Sequence, residues 1–240
     1  MTLTPLVRRL ETALSLSDEE KRAIQSLPFR LADIHPDEAI VREGDRPSRS
    51  CLVLSGMACS YKLLGNGKRQ IVSFHVAGDA PDMQSLHLEV LDISIGAITQ
   101  CKVAFLPHEA VRELCALHPR IANVFWRGTL VEGAIFREWM TSAGRRPAKA
   151  RLAHLCCELF IRSRSVGLAE GQTISFPVTQ NEIGDAVGLS TVHVNRSFQA
   201  LRADKLIELK KGSLTILNWE ALQRAADFDP AYLHLVPGRA

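Results

Sequence analysis

The spacing of the apolar residues changes near Pro107, and this change constrains the fold more than any other feature. Before it, six short apolar runs are separated by glycines at the spacing of about 8–12 residues that is typical of β-sandwiches and jelly rolls. After it, apolar residues recur at helical spacing. The sequence therefore predicts an α+β chain that begins with a β-roll or jelly roll. The six predicted strands are Ala39–Val41, Cys51–Leu54, Cys59–Leu64, Ile71–Val76, Ile93–Thr99 and Val103–Leu106.

Length and composition exclude several classes of protein. The chain has 240 residues, and 46% of them are hydrophobic, so it is long and apolar enough for one or two domains with sizeable cores. Its net charge is +3. Its longest uncharged stretch, 50–61, is shorter than the about 20 residues of a membrane-spanning helix. Arg8 and Arg9 follow too closely on the start for a secretory signal. We expect a cytoplasmic protein without a membrane segment.

The six cysteines predict free thiols and no metal centre. They stand at positions 51, 59, 101, 115, 156 and 157, and none forms the C-x-x-C pair of zinc ribbons or redox sites. Cys156 and Cys157 are neighbours on a predicted helix and point about 100° apart, so they are poorly placed to bind one metal ion. We expect small buried thiols, no metal and no cofactor.

A long amphipathic helix is predicted from Pro119 to Ser142, followed by a hinge at 143–148 in which Gly144 ends the helix and Pro147 begins the next. Its apolar stripe is consistent with two arrangements, a helix packed along its own domain or a seam between two chains. We take the seam as the dimer interface. Phe136 lies on the same stripe, and the predicted interface residues are Ile121, Val124, Phe125, Gly128, Val131, Ile135 and Trp139.

Residues 178–218 predict two short helices joined by a tight turn. Thr179 and Glu182 form a capping box, Gly188 ends the first helix, and Ser190 caps the second. Two such helices are typical of a helix-turn-helix, whose second helix enters the DNA major groove. Residues 142–240 also carry a net charge of +4, against −1 for residues 1–141, and a basic domain suits phosphate binding.

A helical wheel divides the second helix into a buried and an exposed side. Val194, Phe198 and Leu201 form the buried stripe. The residues expected to contact bases are Thr191, Val192, Asn195, Arg196 and Gln199. Two short strands around a Lys-Lys-Gly-Ser turn follow and predict a wing. The residues expected to bind phosphate are Ser190, Arg202, Lys210 and Lys211.

These motifs resemble the Crp/Fnr superfamily of bacterial transcription regulators over nearly the whole chain. Segment 188–196 is similar to the family's helix-turn-helix signature. The glycine pattern of the family's cyclic-nucleotide-binding-type β-roll is matched by Gly44-Asp45, 51–56, 65–67 and Gly78-Asp79. The resemblance implies a homodimer joined by the long helix, a winged helix bound to double-stranded DNA, an effector pocket in the β-roll, and RNA polymerase as a partner.

The chain also departs from this family pattern. No arginine lies between Arg69 and Arg112, where cAMP-binding members have one for the cyclic phosphate. Three carboxylates there would repel an anion, so we expect no response to cAMP: Asp79, Asp82 and Asp92. No cysteine precedes Cys51, which argues against the iron–sulfur cluster of the oxygen-sensing branch. We also do not expect haem, whose candidate ligands would be His75, His87 and Cys101.

The recognition helix departs as well. Val192 replaces the family's polar reader, while Arg196 is retained, so we expect a different operator from the best-known one.

The sequence predicts a β-roll sensor at 1–107, a short helix and a dimerisation helix at 108–143, and a winged helix-turn-helix domain at 144–240. We expect a sequence-specific DNA-binding regulator and no enzyme activity. Two alternatives stay open, a small-molecule-binding β-roll without a DNA function and a cupin-like metalloenzyme. The latter needs clustered histidine and carboxylate ligands, and the predicted strands offer His75 and little else.

Overall fold

The structure is a computed structural model that describes residues 2–236. These residues divide into two compact units, the first built from 2–62 and 73–133, the second from 63–72 and 134–236. The domain boundaries expected at residues 107 and 143 remain predictions. The last four residues of the predicted C-terminal domain, 237–240, lie outside the described residues.

The first unit begins with two helices that the sequence analysis did not predict. Helix α1 spans Thr4–Glu11 and α2 spans Asp18–Gln25. Ser17 and Glu20 form a complete capping box at the start of α2. The apolar sides of both helices are buried in one cluster with strand and helix residues of the unit. Residues 2–29 of the segment predicted as the β-roll sensor therefore contribute helices and no strand.

Two antiparallel sheets follow. The strands are β1 Arg30–Ile34, β2 Ala39–Val41, β3 Arg49–Ser55, β4 Ala58–Leu63, β5 Arg69–His75, β6 Ser94–Ala97 and β7 Cys101–Pro107. One sheet has the order β1-β7-β3 and the other β2-β6-β4-β5. A short 3-10 helix, Met83–Leu86, lies between β5 and β6. The six predicted strands correspond to β2–β7, and β1 is the one that was missed.

The turn between β3 and β4 requires glycine. Gly56 has φ +88°, and a Cβ there would lie 2.4 Å from the carbonyl oxygen of Gln100. Both the left-handed backbone and the close approach exclude a side chain, which explains this glycine of the predicted β-roll pattern.

Helices α3, α4 and α5 span His108–Leu117, Pro119–Arg145 and Ala148–Ser165. Helix α4 continues through Gly144, so the prediction that this glycine ends the helix is wrong. A glycine inside a helix costs only about 1 kcal/mol, whereas the residue before a proline is driven out of the helical conformation. The break therefore lies at Arg146 and Pro147, a connection of two residues.

Much of the predicted stripe on α4 is buried inside the chain itself. Ile121, Val124 and Phe125 belong to the core cluster of the first unit. Ile135 is buried in the second unit. On the opposite side of α4, Trp126 is 64% and Leu130 57% exposed. Of the two predicted arrangements, these four buried side chains therefore show packing within one chain.

The second unit holds the predicted pair of short helices and a larger sheet than expected. Its remaining elements are β8 Ala169–Glu170, β9 Thr173–Ser175, α6 Gln180–Val187, α7 Thr191–Ala203, β10 Ile207–Lys210, β11 Ser213–Ile216, α8 Trp219–Ala226 and a 3-10 helix, Pro230–Leu233. The sheet order is β10-β11-β9-β8, so the predicted hairpin is extended by two strands.

All six cysteines are free thiols, and five of them are buried; Cys115 is half-buried. Burial raises the pKa of the Cys156 thiol to about 12. In the described part of the chain, no helix is both long enough and apolar enough to cross a membrane.

Candidate nucleic-acid interface

Helix α6 and the turn after it have the geometry that the sequence predicted. The Thr179 hydroxyl accepts a hydrogen bond from the Glu182 amide, and the Glu182 carboxylate accepts one from the Thr179 amide. Gly188 ends the helix in the left-handed conformation, with φ +68°. Gly184 is also required, because a Cβ there would lie 2.6 Å from the carbonyl oxygen of Leu189. The close turn between α6 and α7 thus depends on two glycines.

Helix α7 divides into a buried and an exposed side as expected. Ser190 caps it by accepting a hydrogen bond from the His193 amide. Val194, Phe198 and Leu201 are buried, and Phe198 packs edge to face on Phe176, with ring centroids 6.5 Å apart. The side chains left exposed on the other side are Thr191, Val192, Arg196, Gln199 and Arg202, with Asn195 half-buried.

The wing ends in a two-residue turn with unusual backbone angles. Lys210 pairs with Ser213 across β10 and β11, so Lys211 and Gly212 alone make the turn. Both have positive φ, +49° and +74°, as a type I′ hairpin requires. Glycine and asparagine are the usual residues there, so a lysine occupies a strained position at the tip of the wing.

A groove of about 420 Å³ runs between α7 and the wing. It brings together four of the nine residues predicted to contact DNA: Asn195, Arg202, Lys210 and Lys211. The other five do not line it: Ser190, Thr191, Val192, Arg196 and Gln199. Thr179 and Gln180 also line the groove, although the sequence analysis did not assign them to DNA. Their position at the start of α6 was the available indication, because the first-turn amides that the capping box leaves unbonded can bind an anion.

The region that corresponds to a nucleotide pocket lies in the first unit. Arg9 of α1 forms a salt bridge with Asp79, and the Asp79 carboxylate also accepts the amide of Val76. Asp82 is fully buried and accepts the amide of Cys51 at 2.8 Å. Desolvation raises the pKa of Asp82 to about 7. Asp79, which was expected to repel an anion, is thus paired with Arg9, and the pairing partly neutralises its charge.

The candidate metal and haem ligands have ordinary surroundings. His75 is buried with its Nε2 2.7 Å from the hydroxyl of Ser60. Cys101 donates its thiol to the carbonyl of Met57. Within residues 2–236, no group of three or more His, Cys, Asp or Glu side chains is arranged to hold a metal ion.

Comparison with known proteins finds a family match in each of the two units. Residues 32–118 match the family described as cyclic nucleotide-binding domain, and residues 150–225 match the Crp-like helix-turn-helix domain. The chain is 30% identical over 216 residues to the nitrogen fixation regulation protein FixK of Bradyrhizobium diazoefficiens, covering 88% of each chain. It is 25% identical over 205 residues to the transcriptional activator protein FnrA of Stutzerimonas stutzeri, covering 85% of this chain and 84% of FnrA.

Solved structures share the fold. FixK2 from Bradyrhizobium japonicum superimposes with a TM-score of 0.75 at 24% identity, over 83% of this chain and 98% of that one. Together with the capped helices, the glycine turn and the wing, these similarities identify the chain: it belongs to the Crp/Fnr superfamily and is a sequence-specific DNA-binding transcription regulator.

Proposed function

We propose that the chain acts as a homodimer that binds a two-part site on double-stranded DNA, with α7 of each copy in the major groove. The observation that carries this proposal is the exposed arc of α7 beside a lysine-tipped wing. Arg196 and Gln199 are free to contact base edges, since neither is buried in the chain. Arg202, Lys210 and Lys211 lie along one groove, where they suit backbone phosphates.

The proposed dimer uses a different face of α4 from the one that the sequence suggested. Trp126, Leu130 and Gly133 follow the 4-3 spacing of a two-helix seam, and Met140 stands two heptads after Trp126. Trp126, Leu130 and Met140 are 64%, 57% and 72% exposed. Large apolar side chains in such a row indicate a partner surface. A second copy of α4 is the occupant that we propose, since a two-part DNA site needs two recognition helices.

Sedimentation tests the dimer. Leu130→Glu places like charges opposite each other in the seam, so this variant should sediment as a monomer. Leu117→Glu is the matched control, because Leu117 is an exposed leucine of α3, outside the seam. A Leu130→Glu variant that stays dimeric at the same concentration would contradict this seam.

We propose that cAMP is not the effector. No arginine occurs in 70–111, Arg9 is already paired with Asp79, and Asp82 is buried. A cyclic phosphate would find no bidentate partner there. Millimolar cAMP should therefore change neither the melting temperature nor DNA affinity. Binding at 100 times a dissociation constant would stabilise the protein by about 2.7 kcal/mol, which calorimetry would detect.

Selection of bound fragments from a random DNA pool tests the DNA function. We expect an inverted repeat with half-site centres about 10 base pairs, or a multiple of this, apart. Recovery of no preferred sequence would favour the alternative of a β-roll module without a DNA function. As finer parts of the same proposal, we place the protein in the cytoplasm, without enzyme activity, and with RNA polymerase as its partner.

A further inference from the structure

A buried carboxylate joins three parts of the second unit. Glu158 of α5 is fully buried. Its Oε2 accepts hydrogen bonds from the indole Nε1 of Trp139 at 2.9 Å and from the hydroxyl of Tyr232 at 2.7 Å. Its Oε1 accepts one from Arg162 at 3.2 Å. The end of α4, the middle of α5 and the C-terminal segment therefore meet at one side chain.

The C-terminal segment, residues 227–233, is packed as well as hydrogen-bonded. We call it the C-terminal clamp. Phe228 and Leu233 are buried. The ring of Phe228 lies edge to face on His154, with centroids 5.1 Å apart, and the ring of Tyr232 stacks on the same histidine at 5.9 Å. Burial and the Glu158 carboxylate raise the pKa of Tyr232, so its hydroxyl stays a donor.

The other end of the clamp is fixed by Arg146, the first residue of the connection between α4 and α5. Arg146 donates to the carbonyl of Asp227 at 3.1 Å and forms an ion pair with Glu138 of α4 at 2.7 Å. Arg146 thus holds the start of the clamp, while Glu158 holds Tyr232. The Arg146 attachment lies at the connection between α4 and α5, which is only two residues long. The Glu158 attachment lies at the middle of α5, where Trp139 of α4 donates to the same carboxylate.

The clamp also lies beyond the part of the chain that the helix-turn-helix family accounts for. The match to that family ends at residue 225. Helix α5, which carries Glu158, packs directly on recognition helix α7. The clamp thus follows the matched part of the winged helix, and it contacts α5 and Arg146 in the connection between α4 and α5.

From these contacts we infer that the C-terminal clamp sets the angle between α4 and α5, and that Tyr232 and Glu158 are positioning residues for DNA binding. The inference rests on the proposed function. In a dimer joined through α4, this angle determines the distance between the two α7 helices. A loosened clamp would leave each winged helix able to bind its half-site but would impair the simultaneous binding of two.

The experiment compares two duplexes, one with both half-sites and one with a single half-site. Tyr232→Phe removes the hydroxyl and keeps the ring, and Tyr61→Phe makes the same chemical change in the first unit. Because the Tyr232 hydroxyl donates to a buried carboxylate, we expect Tyr232→Phe to weaken binding to the two-part site roughly tenfold. Affinity for the single half-site should stay unchanged, and Tyr61→Phe should preserve the ratio of the two affinities.

Leu233→Ala is the stability comparison for Tyr232→Phe: at an equal loss of melting temperature it should lower the ratio of two-site to single-site affinity less than Tyr232→Phe does. It removes buried packing from the clamp and keeps the Tyr232 hydroxyl. If stability alone mattered, variants with equal losses of melting temperature would lose affinity for both duplexes in parallel. A double-mutant cycle of Trp139→Phe and Tyr232→Phe should also show coupling in two-site affinity, because both donors share Glu158 Oε2.

The outcomes distinguish failure of the clamp inference from failure of the proposed dimeric function. If the unaltered protein shows no preference for two half-sites over one, the proposed dimeric function fails. If it shows the preference and Tyr232→Phe keeps the full ratio, the clamp does not position α4, and the inference is overturned. Equal weakening on both duplexes would also overturn it, since that result indicates a local stability effect on the winged helix.

Discussion

Arg9 of α1 and Asp79, in the loop after β5, form a salt bridge with Nε and Oδ1 2.9 Å apart. The carboxylate is buried, while the guanidinium is partly exposed. This contact ties a helix that precedes the nucleotide-binding-domain match, which starts at residue 32, to a loop inside that match. The N-terminal helices are thus part of the first unit's structure.

Arg9→Met should destabilise the first unit. Methionine replaces the aliphatic part of the arginine side chain but leaves the buried Asp79 carboxylate without its cation, which costs about 1–3 kcal/mol. Arg46→Met is the matched control, because Arg46 pairs with Glu89 in an exposed ion pair worth at most about 1 kcal/mol. Denaturant unfolding measures both. Equal, small losses would show that the Asp79 pair is no stronger than a surface pair.

Asp82 should make the first unit less stable as pH rises. Its pKa is raised from 3.8 to about 7 by burial, so the folded state keeps a proton that the unfolded state has lost. This contribution to stability is present below pH 4 and disappears as pH rises to 7. Between pH 5 and pH 8 the loss is about 3 kcal/mol. Asp82→Asn should lack it, and a variant with the same pH slope as the unaltered protein would contradict the assignment.

His154 should have the opposite effect in the second unit. Burial first, and then the charge of Arg146, lower its pKa from 6.5 to about 3. Between pH 6.5 and 3, His154 therefore binds a proton in the unfolded chain and stays neutral in the folded chain. Stability should fall by about 3 kcal/mol from pH 7 to pH 4. His154→Leu should flatten this part of the curve in unfolding experiments, and an unchanged acid slope would argue against it.

Arg196→Ala should weaken specific binding by about 1–3 kcal/mol and relax preference at one base pair in each half-site. Arg196 is exposed on the arc of α7 that faces away from the core. Binding isotherms on the selected site and on a scrambled duplex provide the measurement. An unchanged ratio of the two affinities would mean that this side of α7 does not contact bases. Phe198→Asp is the folding control, since Phe198 is buried and both affinities should vanish.

Lys211→Gly should weaken binding to specific and non-specific DNA alike. Glycine fits the positive φ of the turn better than lysine, so the variant should be at least as stable as the unaltered protein. Losing one phosphate contact should lower the salt slope of binding by about one unit on specific and scrambled duplexes. A variant that keeps the original slope would place the wing tip away from the backbone.

Predictions from the sequence were most accurate where interactions between neighbouring residues determine the structure. The capping box of Thr179, the left-handed Gly188 and the buried Phe198 each follow from short-range rules, and all three are confirmed. Strand β1 was missed because its residues are at most half-buried and show no apolar run. Helix α2 was missed although Ser17 and Glu20 carry the same capping box as α6.

Long-range partners could not be predicted from periodicity. The stripe on α4 identifies an apolar side but cannot show whether that side packs on its own chain or on another. Ile121 and Phe125 pack within the first unit, and the exposed Trp126 lies on the opposite side of the helix. Likewise, nothing local to Glu158 indicates that Tyr232, 74 residues later, returns to donate to it.

The buried cysteines make the chain its own reporter of unfolding. Cys51, Cys59 and Cys101 lie inside the first unit, and Cys156 and Cys157 inside the second. A thiol reagent reaches such groups only when the surrounding structure opens, and burial keeps Cys156 protonated in the closed state. Pulse alkylation followed by mass analysis would therefore time the opening of each unit separately, with half-buried Cys115 as the early-reacting internal reference.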